Sequence, residues 1–336
     1  MLYPLKKIAR KIIAKIRLLD GFYYDFTKYR KYSLTLGRED LSFDELLGLI
    51  IRLYHSLEKS LTSKEFKKES SLKNVMMILD VLKSNKNIDY NNRHVRSALY
   101  TLKLYFDKHP SDGSIELETQ RRLFKNITSN VDVISNNIGG VKLINIVNEI
   151  PTKDYLNFVR NRVSIREFSE KNITEKELID VVNIAKYCPS ACNRQAVKLL
   201  YSLDKEKNER ILRLQNGSRT FRNHIPGLLL IVSDLRYQEG CEERNLGLIE
   251  GGIWISSLVN SFHASNLGSC VLNWCVRPND DKKIRRLIDM PEYYQIVSMI
   301  AFGHVNSEQL VPYSIRKDPV EFLSKIESIT VPSNGK

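Results

Sequence analysis

Two arginines and a serine stand at alternate positions near the middle of the chain: Arg162, Ser164 and Arg166. In an extended segment, side chains two residues apart leave the backbone on the same side, so these three are expected to share one face. Two guanidinium groups and a hydroxyl on one face suit an anion with several acceptor oxygens, such as a phosphate, or the carbonyl edge of a heterocycle. The spacing therefore predicts a binding site for such a ligand.

A second polar segment, residues 188–195, follows a predicted amphipathic helix over residues 174–187. The dipeptide Pro189-Ser190 is typical of a loop. Ser190, Asn193 and the glutamine that ends the segment offer one hydroxyl and two amides. These groups can donate hydrogen bonds to a flat polar ring and accept them from it.

In this order, the two segments resemble the start of the nitroreductase family, the FMN-dependent NAD(P)H oxidoreductases. The motifs are Arg-x-Ser-x-Arg-x-Phe, a helix, Pro-Ser-x-x-Asn-x-Gln and a strand. Later segments follow the same pattern: an apolar helix over 246–267, a strand over 270–274, a charged helix over 280–288, a strand over 296–303 and a tail with Pro312 and Arg316. The resemblance covers about residues 153–325, and it implies an α+β domain with a mixed sheet flanked by helices.

The resemblance also implies which residues contact FMN. They are Arg162, Ser164, Arg166, Pro189, Ser190, Asn193, Asn273, Trp274 and Arg316. Its implied roles are phosphate, ribityl and ring-edge contacts for the arginines and Ser164, and contacts from a partner subunit for the 189–193 loop of a homodimer. No catalytic side chain is expected, because a flavin carries the difficult chemistry and the protein supplies binding and orientation. NAD(P)H would be the reductant and a small molecule the electron acceptor.

The sequence departs from the family where the backbone approaches the flavin N5. Family members often carry glycine there, whereas this chain has no glycine between Gly268 and Arg277. An amide or carbonyl of residues 273–275 could still serve N5, and Trp274 could stack near the ring and limit the substrates. As the alternative, Trp274 is a half-buried aromatic side chain of a strand.

The predicted helix over residues 246–267 is apolar on nearly all sides. Gly247, Gly251 and Gly252 would permit close approach of a neighbouring element. Because a helix of this kind is buried on several sides, we expect it at the centre of a two-fold interface.

The composition is that of a globular protein of two domains, with 336 residues of which 42% are hydrophobic and 27% charged. Five cysteines without a secretory signal predict reduced thiols in a cytoplasmic protein. The cysteines and histidines lack the spacing of metal ligands, so no metal site is predicted.

The formal net charge of +13 suits anionic partners, but without a recognisable motif or an aromatic-interleaved basic patch we predict no nucleic-acid partner.

Residues 1–150 are predicted to form an all-helical domain, and residues 151–336 the nitroreductase-like domain. Apolar residues recur at helical spacing without strand-like alternation over 43–61, 72–82, 95–106 and 115–127. Ser114 is expected to cap the last of these helices.

A first helix, expected over residues 5–19, has one apolar stripe and a basic opposite face. Residues 1–33 contain nine Lys or Arg against Asp20 and Asp25. Such a helix can pack on its own domain with a solvated basic side, which is the favoured interpretation. The alternative is peripheral membrane contact, with the basic face toward anionic lipid.

His55, Glu58 and Lys59 lie three and four residues apart on the helix over 43–61. They are expected to be surface polar residues, with a proton-handling or partner-binding pair as the alternative. Similar His-x-x-Glu-Lys helices precede nitroreductase-like domains in bacterial proteins linked to surface-polysaccharide synthesis, and this resemblance supplies context without an activity.

These patterns together predict an FMN-dependent oxidoreductase. It would pass hydride from NAD(P)H through FMN to an electron-poor acceptor, such as a nitroaromatic or a quinone, by ping-pong kinetics. The alternative is a flavin-binding or degenerate scaffold that serves as an accessory protein at a membrane or with a partner. The basic first helix and the missing glycine near N5 support this alternative.

Overall fold

The computed structural model describes residues 2–36, 41–63, 69–85, 88–109, 113–129, 131, 138–144 and 149–327. The helices of these residues are α1 Leu2–Tyr32, α2 Phe43–Leu61, α3 Leu72–Ser84, α4 Arg93–Asp107, α5 Ile115–Thr128, α6 Thr152–Asn161, α7 Glu175–Ala185, α8 Lys205–Leu212, α9 Leu246–Ala264 and α10 Pro278–Leu287. The strands are β1 Val197–Ser202, β2 Gly227–Asp234, β3 Leu267–Asn273 and β4 Tyr294–His304.

The four strands form one sheet in the order β1-β2-β4-β3, with antiparallel pairing throughout. A parallel bridge between Ser164 and Ser269 adds a further extended segment beside the edge strand β3. β2 is buried along its whole length, because helices cover both faces of the sheet. The expected α+β class is confirmed, although the parallel part of the mixed sheet is limited to this one bridge among the described residues.

Successive residues of the strands face two separate hydrophobic cores, as the two-residue period of a strand requires. On one face α7 and α9 pack against the sheet, where the Phe262 and Phe302 rings stack with centroids 4.8 Å apart. On the other face α8 and α10 contribute Leu212 and Ile284, which are fully buried. Because helices cover both faces of the sheet, β3 is held in place. The segment beside β3 is held with it and is shielded from solvent on one side.

The helices predicted in the first half are confirmed, and α2 begins and ends at the predicted residues. The Ser114 hydroxyl accepts a hydrogen bond from the Leu117 amide at 3.2 Å, so the predicted cap of α5 is present. α2 packs against α3 and α4 in the centre of this half. It also lies against the second half, where Gly48 leaves room for the Tyr237 ring.

The polar pair on α2 is formed. His55 Nδ1 lies 3.0 Å from Glu58 Oε2, and the other Glu58 oxygen accepts from the Gly140 amide at 3.1 Å. Burial raises the pKa of Glu58, while the hydrogen bond and charge of His55 oppose that rise. The carboxylate thus holds the turn at Gly140 onto α2, which is a structural role.

α1 is longer than the sequence indicated, and its main contacts among the described residues are with α10 and the turn at Leu235–Tyr237. Tyr24 donates to Asp281 at 2.6 Å and Tyr32 donates to Glu292 at 2.7 Å, so α1 is attached to the second half. Residues 11–20 are all exposed. Over residues 11–19 the expected packing of this helix on its own domain is therefore wrong, because the polar contacts that attach α1 lie in its last third. None of the described helices is both long enough and apolar enough to cross a bilayer.

The apolar helix α9 ends at Ala264, and a single chain covers only part of its surface. One side lies on the sheet, with Leu258 fully buried, whereas Leu248 and Ile249 are 42% and 59% exposed. A Cβ on Gly252 would meet nothing within 4 Å. Within one chain, α9 is therefore open on one side, and the two-fold interface stays a prediction.

Candidate functional site

Backbone hydrogen bonds hold the Arg-x-Ser-x-Arg segment along the outer edge of β3. The Ile165 amide donates to the Ser269 carbonyl at 3.0 Å, and the Ser169 amide donates to the His304 carbonyl at 2.9 Å. Ile165 and Phe168 are buried in the core between the sheet and α8 and α10. The predicted extended conformation is confirmed, because Val163 and Ile165 pack against this core while Arg162, Ser164 and Arg166 remain partly or fully exposed.

Arg162, Ser164 and Arg166 line one cavity of about 710 Å³ together with part of the C-terminal tail. We call it the arginine cavity, and its full lining is Val159, Arg160, Arg162, Val163, Ser164, Arg166, Pro312, Tyr313, Ser314, Ile315 and Arg316. The described residues of this lining include four arginines and no acidic side chain. The structure thus brings Arg316 to Arg162 and Arg166 from a distant part of the chain.

The positive charge of this region shifts the pKa of two neighbouring side chains, His263 and Cys270. Burial lowers the pKa of His263, and the Arg162 guanidinium lowers it further. Burial raises the pKa of the Cys270 thiol, and the Arg166 guanidinium opposes that rise. In both cases the arginine favours the less positive form of its neighbour, which is the effect expected where no carboxylate stands between them.

The arginine cavity is suited to a phosphate-bearing ligand of small size. Its volume lies within the range of about 300–1,000 Å³ that is typical of small-molecule sites. Guanidinium groups present several donors in a fixed plane, which matches the oxygens of a phosphate. Two of them are already oriented by backbone carbonyls, since Arg166 donates to Ser164 at 3.5 Å and Arg316 donates to Ser314 at 2.5 Å. No group of three or more potential metal ligands occurs in the described part of the chain.

The loop over residues 188–195 does not line the arginine cavity of its own chain. The Ser190 hydroxyl accepts from the Gln195 amide at 3.2 Å, and Asn193 and Pro189 are exposed. Cys192, Asn193 and Gln195 have φ of +51°, +54° and +54°, a conformation that is uncommon for residues other than glycine. Contact of Pro189, Ser190 and Asn193 with a flavin of the partner subunit stays a prediction.

Neighbouring elements hold this loop in its strained conformation. The Ala191 amide donates to Glu250 of α9 at 2.6 Å, and burial raises the pKa of this carboxyl. Arg194 is buried and donates to both oxygens of Glu243, at 2.7 Å and 2.9 Å. α2 packs against the turn at Ala191–Asn193. The helical half of the protein therefore helps to hold the loop in place, through α2.

Asn273 and Trp274 lie at the far end of β3 and also stand outside the arginine cavity. The Asn273 carbonyl accepts from Gln215 at 3.0 Å, and the Trp274 indole N–H donates to Asp281 at 3.1 Å. The half-buried Trp274 ring packs against the core. This position agrees with the structural interpretation of Trp274, and contact of either residue with a flavin stays a prediction.

Arg160, Tyr313 and Ile315 are among the lining residues of the arginine cavity that were not expected from the sequence. A signal existed for Arg160, because it precedes Arg162 by two residues and belongs to the same run of cations. The tail residues carry no periodicity, so only the folded chain reveals that they border the cavity.

Comparison with known proteins bears on this segment. Residues 159–218 match the model of the nitroreductase family. The matched range includes Arg162, Ser164 and Arg166 and the loop over residues 188–195, so the resemblance deduced from these motifs is confirmed there.

Known relatives match a longer stretch of this chain than the family model does, at low sequence identity. An FMN reductase [NAD(P)H] from Bacillus subtilis (strain 168) is 23% identical over 156 residues, which are 42% of this chain and 61% of that protein. This chain thus spans less than two thirds of the length of that relative.

Solved structures are similar to the second half. An FMN-dependent nitroreductase from Clostridium difficile R20291 has 23% sequence identity and a TM-score of 0.41, with coverage of 46% of this chain and 89% of that chain. A nitroreductase-like protein from Streptococcus mutans has 20% identity and a TM-score of 0.46, with coverage of 53% and 100%.

Proposed function

We propose that this protein is an FMN-dependent oxidoreductase that passes hydride from NAD(P)H through FMN to a small electron-poor acceptor. The observation that carries the proposal is the arginine cavity, whose described lining includes four arginines and no acidic residue. The cavity is built on the segment that matches the nitroreductase family model.

In this proposal Arg162, Arg166 and Arg316 hold the phosphate of FMN, and the Ser164 hydroxyl bonds to the ribityl chain or the ring edge. Bound FMN accepts hydride and releases it, whereas the side chains orient it and neutralise its charge. The nicotinamide donor and the acceptor occupy one pocket in turn, which predicts ping-pong kinetics. Nitroaromatics or quinones are the proposed class of acceptor in vitro.

A homodimer completes the proposed site. The open side of α9 with Leu248 and Ile249 offers an apolar surface for a second copy. Pro189, Ser190 and Asn193 of each subunit would then contact the flavin of the other. The likeness of the His55–Lys59 helix to polysaccharide-associated proteins supports the finer proposal that the protein serves surface-polysaccharide synthesis.

The visible absorption spectrum of the purified protein, loaded with FMN and then treated anaerobically with NADH or NADPH, tests the proposal. We expect flavin bands that bleach on reduction. Arg166→Ala and Arg316→Ala should each weaken FMN binding about tenfold or more, since a hydrogen bond to a charged group contributes about 1.5–3 kcal/mol.

Arg213→Ala is the matched control, because this exposed arginine pairs with Glu209 on α8 and lies outside the arginine cavity. It should keep the affinity of the unchanged protein. A protein that cannot be loaded with FMN would overturn the proposal. Bands that persist with both nucleotides would instead favour a flavin-binding accessory scaffold.

A further inference from the structure

The N-terminal helix α1 carries an apolar surface that no described element covers. Ile12, Ile16 and Leu19 are 52%, 60% and 69% exposed, and Tyr23 and Phe26 are 68% and 57% exposed. Monomeric proteins rarely expose apolar side chains in such a continuous row, and rows of this kind mark interaction sites.

The five side chains form a single straight stripe. They follow one another at spacings of four, three, four and three residues, which keeps them on one side of a helix. From Ile12 to Phe26 the stripe is about 21 Å long at 1.5 Å per residue. All five can therefore enter a flat surface to the same depth when α1 lies parallel to it.

The stripe points away from the face by which α1 is attached. Tyr24 and Lys28, which contact Asp281, lie about 120° and 160° around the helix from the centre of the stripe at 100° per residue. The attachment therefore leaves the stripe free to bind something else.

The charge around the stripe favours an anionic surface. Residues 11–20 contain Lys11, Lys15 and Arg17 against Asp20. Lys15 comes three residues after Ile12 and four before Leu19, so its long side chain lies at the edge of the stripe, where a lysine can reach toward headgroups. A second copy of this basic helix would bring like charges together, which disfavours it as the occupant.

The apolar surface continues from α1 onto the body. At the C-terminal end of the stripe, near Phe26, lies a cavity of about 830 Å³. It is lined by Phe22 and Phe26 of α1 and by Leu235 and Leu248 of the second half. Three cations also line this cavity against one acid; the four charged residues are Lys28, Arg30, Arg244 and Asp25. Helix and body thus present the same combination of apolar and cationic groups.

We propose that the stripe Ile12–Ile16–Leu19–Tyr23–Phe26 seats this protein on an anionic lipid bilayer, with α1 lying in the headgroup region and its apolar side in the acyl boundary. Binding combines the burial of apolar area with attraction between the lysines and the lipid charge, as for other interfacial helices. This surface is separate from the arginine cavity.

Flotation of the full chain with vesicles tests the proposal. Vesicles of phosphatidylcholine and phosphatidylglycerol in equal parts should carry the protein, and vesicles of phosphatidylcholine alone should carry much less. The double variant Ile16→Asp/Leu19→Asp should reduce the bound fraction about tenfold, because it removes two apolar side chains and adds two negative charges.

Ile115→Asp/Leu143→Asp is the matched control. Ile115 and Leu143 are 89% and 97% exposed and lie outside α1, so this variant makes the same change in charge and apolar content elsewhere. It should float like the unchanged protein. Equal loss in both double variants, equal binding to neutral vesicles, or no flotation would each overturn the proposal.

Sedimentation without lipid separates the bilayer from a second copy. The mass of the Ile16→Asp/Leu19→Asp variant should equal that of the unchanged protein, and a fall in mass would assign the stripe to a subunit interface and overturn the proposal. The FMN content of both double variants should be unchanged. Failure of flavin loading therefore tests the proposed function, and failure of flotation tests this inference.

Discussion

The helices α1 and α9 both carry apolar residues along their length, yet one is exposed and the other lies in a core. α9 reaches the sheet because small residues face it; a Cβ on Gly251 would come within 2.6 Å of a Val297 methyl. α9 also contains no Lys or Arg, whereas residues 11–20 of α1 contain three. An apolar stripe therefore predicts a covered surface, while the small residues and charges beside it decide what can cover it.

The largest expected difference between the two helices is in stability. Phe262→Ala on α9 should lower the free energy of unfolding by about 3–5 kcal/mol, because it leaves a cavity beside Phe302. Leu19→Ala on α1 should change it by less than about 0.5 kcal/mol, since this side chain is exposed. Urea unfolding of both variants measures the difference, and equal losses would mean that α1 is covered in solution.

A somewhat smaller effect is expected where α1 is attached. The Asp281 carboxylate accepts hydrogen bonds from Tyr24, Arg285 and Trp274. Asp281→Ala should cost about 3 kcal/mol, because it removes the carboxylate that neutralises the buried Arg285 and leaves it only backbone carbonyls as partners. It should also speed proteolysis within α1, as limited digestion under native conditions would show.

Glu292→Ala provides the control for that attachment. This carboxylate pairs with Lys31 and Tyr32, and its side chain is 66% exposed. An exposed pair contributes about 0–1 kcal/mol, so proteolysis and stability should change little. If Glu292→Ala released α1 as readily as Asp281→Ala, the buried contact would not be the anchor.

A further expected effect at the attachment of α1 is a pH dependence of stability from Lys28. Burial and the nearby Arg285 lower the pKa of Lys28 to about 8 from its ordinary 10.5, against the opposing charge of Asp281. Between these two pH values the unfolded chain binds more protons at this residue than the folded one, so stability rises with pH. Urea unfolding across this range should show a rise that Lys28→Met lacks, and a fall with pH would show that the ion pair outweighs burial.

Local pattern accounts for what could be predicted of the fold. The bounds of α2 and the cap at Ser114 follow from side-chain spacing over a few residues, and both are confirmed. The α+β class followed from the resemblance of the second half. The strand order β1-β2-β4-β3 was not predicted, because pairing depends on contacts between residues far apart in the chain.

The residues of the candidate site likewise fall into those that a local pattern predicts and those that it does not. The alternation of Arg162, Ser164 and Arg166 is visible in the sequence, since an extended segment repeats every two residues. Arg316 was expected only through the family resemblance, and Arg160 and Tyr313 were missed. The contribution of Tyr313 and Arg316 depends on where the tail meets the cavity, which no local pattern records.

The sequence alone determined the helical elements of the first half, the shared face of Arg162, Ser164 and Arg166 and an apolar stripe over residues 5–19, because each depends on the period of one element. Only the tertiary structure decided that α1 is attached by Tyr24 and Lys28 and turns its stripe outward. It also decided that the arginine cavity closes around Arg316. The physical reason is that periodicity states which residues share a face, whereas the neighbour of that face is selected by competing long-range contacts.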